Sequence, residues 1–344
     1  MERFDDGQLI VASSGLRSWH RCPWGKTVLN TSTDDGATWS PSCVIHDSPL
    51  DDRDAGILNL GGDNILVTWA SCDMHRQLDL TAREDYHSMA GAAEIEKWRP
   101  TIEALTDEQA AAHVGSWRML STDGGQTWSD KARVPVYAPH GPIRMRDGTL
   151  MYLGRRFVID GHLMTDEGPV VAARSEDDGR TWRELGTVPL FPNTEVQPYS
   201  EPSIVELPSG RLLGMIRVSG DLGDSGVLSF SMMQVESDDG GESWSVPQPL
   251  NFPGAPPHLL QHSSGVLILS YGYRLVPFGQ RVAFSYDGGA TWEHDWILRD
   301  DGPDWDLGYP STVELADGSL FSVYYQKATG DPKCSLLSSR WSLP

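Results

Sequence analysis

The chain has 344 residues, with 27 basic against 48 acidic side chains and a net charge of −21, a surplus that repels phosphate backbones and argues against nucleic-acid binding. Apolar residues make up 39% and charged residues 22%, enough for a sizeable core and against wholesale disorder, and there is no run of about 18 apolar residues to form a membrane-spanning helix. Cys22, Cys43, Cys72 and Cys334 are widely spaced without a CxxC pair, which speaks against a disulfide framework or structural zinc, and MERFDDGQLIVASSG has no basic-then-apolar leader pattern, so the expected location is the cytoplasm.

In chain order, the first element is a short hairpin, RFDDGQLIVAS from Arg3, whose apolar residues alternate beyond an Asp-Gly turn. An exit loop follows, GLRSWHRC, and then the octamer STDDGATW from Ser32. The same order recurs along the chain. ILNLGGDNILVTW from Ile57 precedes STDGGQTW from Ser121, and PIRMRDGTLMYLG from Pro142 precedes SEDDGRTW from Ser175. SIVELPSGRLLGMI from Ser203 precedes SDDGGESW from Ser237, and HLLQHSSGVLILSY from His258 precedes SYDGGATW from Ser285. A sixth hairpin, STVELADGSLFSVY from Ser311, is followed by LLSSRWSLP without the octamer. In the shared pattern S-x-D-x-G-x-[TS]-W, the Asp accepts backbone N–H groups, the Gly takes φ > 0 and the Trp packs over the turn. The repeats account for 35 Gly and for 13 Trp against 8 Phe.

Hairpin, strand, Asp-Gly turn and strand make a four-stranded unit of roughly 50 residues, the size of a propeller blade. The expected fold is therefore all-β, one six-bladed β-propeller over residues 1–344. Its blades fall at about 1–45, 46–134, 135–190, 191–252, 253–297 and 298–344. Incomplete units at both ends predict ring closure by strands from both termini. Residues 73–115, rich in Ala and Glu and holding a capping box from Thr106 to Gln109, predict a helical insertion in blade two. It reads equally as a decorated loop at a dimer contact or as a lid.

In a propeller the start of strand one and the end of strand two of each blade open on one face, opposite the Asp-Gly-Trp turns. Counting outward from each hairpin turn by roughly eight residues predicts which side chains reach the mouth of the channel. Blade one contributes its exit loop, with Arg17, Trp19, His20 and Arg21, and blade two contributes Arg53 and Asp54 with the Ser71–Asp73 region. Blade three places His140, Arg155 and Arg156 there, blade four Glu201 and Arg217. Blade five brings His258, Tyr271, Tyr273, Arg274 and Arg281, and blade six Tyr309 and Tyr325. So many arginines at one mouth of an acidic protein predict an anionic or acceptor-rich ligand. His20, His140 and His258 have no short ligand spacing, so neither a metal nor another cofactor is expected.

Five Asp boxes on six blades resemble the sialidase (neuraminidase) superfamily of BNR-repeat propellers, and the resemblance covers nearly the whole chain. SEPSIVELPSGRLLGMIR (200–217) is similar to that family's blade-four strand pair, whose Glu assists the nucleophile and whose Arg grips the substrate carboxylate. GYPSTVELADGSLFSVYYQ (308–326) is similar to the blade-six segment that bears the Tyr nucleophile. The resemblance implies an exo-acting glycoside hydrolase that removes a terminal acidic sugar with retention. Tyr309 would be its nucleophile, Glu201 the base, Arg217 a carboxylate ligand, and Arg274 or Arg281 the blade-five arginine. This chain departs from the family in two places. The family's first triad Arg, in an Arg-Ile-Pro motif of blade one, has no counterpart, and GLRSWHRC lacks the family's acid/base Asp. Arg17 or Arg21 would then replace the Arg, and Asp54 or Asp73 the acid. Two other readings stay open: a lyase or other propeller glycosidase on uronic-acid glycans, with Glu201 and Asp54 as a conventional carboxylate pair, and a non-catalytic carbohydrate-binding propeller. The expected partner is an acidic sugar or oligosaccharide, with no nucleic acid and no membrane; a homo-oligomer through the insertion or the blade edges is the other candidate contact.

Overall fold

The structure is a computed structural model that describes residues 1–75, 78, 92–160, 163–165 and 168–344. Six antiparallel sheets follow one another along the chain as the blades of a propeller. Blade 1 comprises Glu2–Arg3, Leu9–Gly15, Lys26–Ser32 and Cys43–His46, and blade 2 Asp51–Gly61, Asn64–Cys72, Gly115–Ser121 and Ala132–Arg133. In blade 3 two short pieces, Val136–Tyr137 and Ile143–Arg144, both pair with Leu150–Arg156, and Val170–Ser175 and Arg183–Thr187 complete the sheet. Blade 4 comprises Tyr199–Glu206, Leu212–Val218, Ser231–Ser237 and Gln248–Pro253; blade 5 Pro257–Gln261, Leu267–Tyr273, Gly279–Ser285 and Glu293–Arg299. Blade 6 has three strands, Gly308–Glu314, Leu320–Gln326 and Ser335–Trp341.

The predicted insertion lies between the second and third strands of blade 2, with helices Ala92–Glu103 and Asp107–His113; residues 76, 77 and 79–91 of that span lie outside the described residues. The Thr106–Gln109 capping box is formed: the Thr106 hydroxyl accepts from the Gln109 N–H, and the Gln109 side chain accepts from the Thr106 N–H at 2.9 Å. Trp98 of the first helix is fully buried and donates from its indole to Ser18 of the blade 1 exit loop at 3.1 Å. The insertion is thereby fastened to a loop at the channel mouth.

The five octamers form one repeated hydrogen-bond pattern. In each, the Asp Oδ1 accepts from the leading Ser hydroxyl at 2.7–2.8 Å and from the backbone N–H four residues on at 2.8–2.9 Å. Its Oδ2 accepts from the Thr or Ser hydroxyl at 2.5–2.6 Å. Trp39, Trp128 and Trp182 donate back to the turn glycine carbonyl at 3.1 Å, whereas Trp292 donates to Gln234 of blade 4 at 2.9 Å. Gly36 sits at φ +84, and a Cβ there would lie 2.2 Å from the Phe321 ring, so the blade 1 box can rest on blade 6 only as glycine.

Closure of the ring differs from the sequence expectation. Glu2–Arg3 pairs with Leu9 and Ile10 of its own blade, so the first strand is used within blade 1. Among the described residues no N-terminal strand joins blade 6. The seam is closed instead by face packing, with Leu9 and Val11 of blade 1 buried against Val313, Leu315, Phe321 and Val323 of blade 6. Apolar side chains removed from water do here what exchanged strand pairing was expected to do.

The hydroxyl and then the backbone N–H donors of the boxes hold the carboxyls of Asp34, Asp123, Asp239 and Asp287 at about 2. An unfolded Asp titrates at about 3.9, so the folded carboxylates lie below their unfolded value. The stability they contribute is present above that value and is lost as pH falls through it toward 2. Urea midpoints should therefore decline steadily from pH 5 to pH 2, and replacing Asp239 and Asp287 by Asn should flatten the decline. A midpoint independent of pH over that range would contradict this account.

Candidate active site

The innermost strands of blades 2, 4 and 6 share one irregularity. Pairing jumps from Arg53↔Ala70 to Gly56↔Thr68, from Ser200↔Arg217 to Ser203↔Met215, and from Gly308↔Tyr325 to Ser311↔Val323. In each jump two residues face one, which is a β-bulge that bends the strand and re-aims a side chain. The first bulged residue is Asp54, Glu201 or Tyr309, at φ +57, +49 and +53. Non-glycine residues held there cost on the order of 1–3 kcal/mol each and persist only where packing over-determines them. The second bulged residue has no ladder bond to make, and prolines, which lack the N–H, fill it at Pro202 and Pro310. In blade 2 the next residue, Gly56, admits the 140–141 loop of blade 3: a Cβ on it would stand 2.3 Å from the Gly141 nitrogen.

Glu201, Arg217 and Tyr309 meet across the channel. The Tyr309 hydroxyl donates to Glu201 Oε1 at 2.5 Å, and Arg217 Nη1 donates to Glu201 Oε2 at 2.6 Å and to the Tyr309 oxygen at 3.4 Å. Burial pushes the Glu201 carboxyl up, but the Arg217 charge and the Tyr309 hydroxyl outweigh it and hold the group below the ordinary carboxylate value. Burial, and next the Glu201 charge, raise the Tyr309 phenol above its ordinary value. The resting pair is thus a neutral phenol bonded to a carboxylate, the arrangement of a nucleophile with its base. Arg217 and Arg274 each place their guanidinium carbon 5.0 Å from the centre of the Phe230 ring. Arg274 also donates to the Leu307 carbonyl at 2.9 Å and to the Tyr325 hydroxyl at 3.3 Å.

On the blade 1 and blade 2 side, charges alternate. Arg17 Nη1 lies 2.8 Å from Asp51 Oδ1, Arg53 Nη1 3.8 Å from Asp51 Oδ2, and Arg53 Nε 3.4 Å from Asp54 Oδ2. Burial raises the Asp54 carboxyl against the pull of Arg53, and the Glu201 charge adds to the rise. A cavity of about 480 Å³ is lined by Tyr309, Asp54, Arg53, Arg17, His20 and His140 at its inner end and runs outward between blades 1 and 6 to Ser42 and Leu336. Its size is that of a ligand pocket. Among the described residues, no three His, Cys, Asp or Glu side chains converge as they would around a metal ion, and no helix is long and apolar enough to cross a membrane.

Several residues expected at the mouth are engaged elsewhere. Arg281 is buried and donates to the carbonyls of Gln280, Arg299 and Pro277 at 3.2, 2.7 and 3.2 Å. Of the two blade 5 candidates, it is therefore Arg274 that faces Tyr325 and Phe230. Arg155 is buried and donates to the Gly168 carbonyl at 3.0 Å, while Arg156 pairs with Glu184 of the outer strand at 2.5 Å. Arg21 is exposed and outside the cavity wall, whereas its neighbour His20 is in it. Asp73 is paired with His75 at 2.8 Å. His140 lines the cavity with its ring centre 4.8 Å from that of His258, and Thr312 N–H donates to His258 Nδ1 at 3.3 Å. Two residues at the site were not foreseen, Phe230 and Asp306. Both lie in loops, which counting along hairpin strands does not reach.

Removing one partner of a buried charge pair leaves the other uncompensated, so Arg217→Met should destabilise the fold by about 3 kcal/mol. Adding Glu201→Gln should restore a large part of that loss, because the unpaired charge is then gone. Denaturant unfolding of the two single variants and the double variant reads the coupling, and strictly additive losses would refute it.

Residues 101–322 match the BNR repeat-like domain family. A sialidase of Micromonospora viridifaciens is 25% identical over 351 residues, an alignment that covers 94% of this chain and 48% of the relative, so the chain spans about half the length of that protein. Among solved structures, a Dyadobacter fermentans protein of unknown function has a TM-score of 0.75 at 22% identity, covering 99% of this chain and 93% of that one. The Hadza microbial sialidase Hz136 has a TM-score of 0.64 at 18% identity, covering 98% and 64%. The intramolecular trans-sialidase of Ruminococcus gnavus, solved with oseltamivir carboxylate, has 0.64 at 15%, covering 99% and 93%. At these identities the structural likenesses speak for the fold. With that family matched over more than half its length and the Asp boxes set on six blades, the chain belongs to the BNR repeat-like domain family and is a sialidase-like propeller.

Proposed function

We propose that this chain is an exo-acting glycoside hydrolase of the sialidase type, removing a terminal acidic sugar through a covalent intermediate on Tyr309. The observation that carries the reading is the Tyr309 hydroxyl at 2.5 Å from Glu201 Oε1, with Arg217 on the other carboxylate oxygen. Glu201 takes the phenolic proton as the Tyr309 oxygen attacks the anomeric carbon. A neutral nucleophile suits a sugar with a carboxylate beside that carbon, because an anionic one would be repelled. Arg217 and Arg274, both against Phe230, receive the substrate carboxylate. Asp54 keeps its proton through burial and delivers it to the departing glycosidic oxygen. Water then displaces the sugar from Tyr309, which recovers its proton from Glu201.

A second reading rests on the arginine count. Arg17 and Arg53 are matched by Asp51 and Asp54, and Arg217 in part by Glu201, which leaves Arg274 and the part of Arg217 that Glu201 does not engage, rather than three arginines, for a substrate carboxylate. That favours a carboxylate held by fewer arginines, as in a uronic-acid glycoside cleaved with Glu201 and Asp54 as the carboxylate pair.

The test is turnover of an aryl α-sialoside and of a panel of aryl uronides by the purified chain. Sialoside cleavage is expected, falling by roughly three orders of magnitude or more in Tyr309→Phe with the fold intact. Turnover confined to uronides, insensitive to Tyr309→Phe and abolished by Glu201→Gln and Asp54→Asn, would establish the second reading. An unsaturated product absorbing in the near ultraviolet would mean a lyase, and sugar binding without turnover a binding propeller.

A further inference from the structure

The blade 1 exit loop, residues 15–22, contains no carboxylate, yet it brings a basic ring to the cavity. His20 lines the wall together with Tyr309, Asp54 and Tyr325. Its Nδ1 lies 3.0 Å from Asp306 Oδ1, and the Tyr325 hydroxyl donates to the same oxygen at 3.1 Å. The Cys334 thiol donates to the Asp306 carbonyl at 3.2 Å. Burial opposes ionisation of Asp306, but the His20 hydrogen bond and charge, with Tyr325 and Cys334 after them, bring it down to about 2, so it is a carboxylate. A carboxylate only accepts, so the proton of the His20 ring is on Nδ1 and the lone pair is on Nε2. Burial outweighs the pull of Asp306 and takes the imidazole down to about 4, leaving it neutral near pH 7 and therefore a base rather than an acid. Among the described residues Nε2 makes no hydrogen bond.

We propose that His20, oriented by Asp306, is the base that activates water in the second half of the reaction; the proposal rests on the reading of Tyr309 as nucleophile. Water gives a proton to His20 Nε2 as its oxygen bonds to the anomeric carbon. The bond from that carbon to the Tyr309 oxygen breaks, the electron pair stays on the phenolic oxygen, and that oxygen takes back the proton held by Glu201. The imidazolium, stabilised by Asp306, loses its proton to solvent. Asp54, ionised once it has protonated the leaving group, regains a proton from solvent. Asp306 is a positioning residue: it fixes the tautomer without touching the water.

The experiment compares the wild type with His20→Ala and Asp306→Asn on the activated aryl glycoside that the wild type turns over, by rapid-quench kinetics and intact-mass spectrometry. In His20→Ala the first-turnover release of the aryl group should stay within a few-fold of wild type, while steady-state turnover falls about 100-fold or more. A glycosyl adduct should accumulate on Tyr309, and azide should restore turnover, yielding a glycosyl azide of unchanged anomeric configuration. Asp306→Asn should slow the same second step by less and leave the first turnover alone. The proposal is overturned if His20→Ala is unchanged, or if both phases fall together with no adduct and no azide rescue, the outcome of a purely structural role. Thermal unfolding of both variants separates that outcome from loss of the fold. A wild type that cleaves nothing, or one indifferent to Tyr309→Phe, removes the nucleophile reading and this inference with it. An enzyme silenced by Tyr309→Phe but indifferent to His20→Ala removes the inference alone.

Discussion

Asp54, Glu201 and Tyr309 stand at positive φ in two-against-one bulges at matched positions of blades 2, 4 and 6. Strand side chains alternate between faces, so without a bulge the residue at each of these positions would keep the parity of its strand and turn toward a neighbouring sheet. The bulge breaks parity once per strand, at its end nearest the mouth. Three strained residues in alternate blades then share one channel end instead of three separate seams. The strain is tolerated because the strands beyond the bulges are fixed by buried packing on both sides, as in blade 4: Ile204, Leu212 and Ile216 toward blade 3, and Leu213 and Met215 toward Leu259 of blade 5. Rigidity elsewhere in the blades is what lets their inner ends hold a costly conformation.

The electrostatics follow from the same placement. A chain with a surplus of carboxylates collects arginines at one channel end, but most of that positive charge is already matched. Asp51, fully buried, lies between Arg17 and Arg53, and Glu201 answers Arg217. Buried pairs of this kind contribute little net stability, but their partners are costly to remove. What no carboxylate answers is Arg274 and the part of Arg217 that Glu201 does not engage, held side by side on Phe230. An aromatic face there orients both guanidiniums without neutralising either.

The ring was legible in the sequence because its signals are local. An Asp box is a turn, a hairpin is an alternation, and each can be read within about a dozen residues. Glu201, Arg217 and Tyr309 were reachable for the same reason, each lying at a fixed distance from a hairpin turn. Arg155, Arg156 and Arg281 were not, although they lie at similar distances. Backbone carbonyls at Gly168, Pro277 and Arg299 take up two of these guanidiniums and Glu184 the third, and nothing in hairpin spacing encodes where such carbonyls turn. Phe230 and Asp306 escaped for a related reason: each lies in an irregular segment just before a strand. The expected strand exchange at ring closure failed because a two-residue strand, Glu2–Arg3, leaves no alternation to detect.

The seam between blades 1 and 6 joins stability to chemistry. Its apolar packing is set by Leu9, Val11, Val313 and Phe321, while near Val28 and Tyr324 the blades part around the cavity. At the mouth the two blades are tied by a polar contact, His20 of blade 1 to Asp306 on the approach to blade 6, reinforced by Tyr325 and Cys334. A hydrogen bond that closes a ring at the wall of a cavity also fixes the orientation and tautomer of the ring that makes it. A change at Asp306 should accordingly be felt both in the folding of the seam and in the tautomer of the imidazole, because one hydrogen bond serves both.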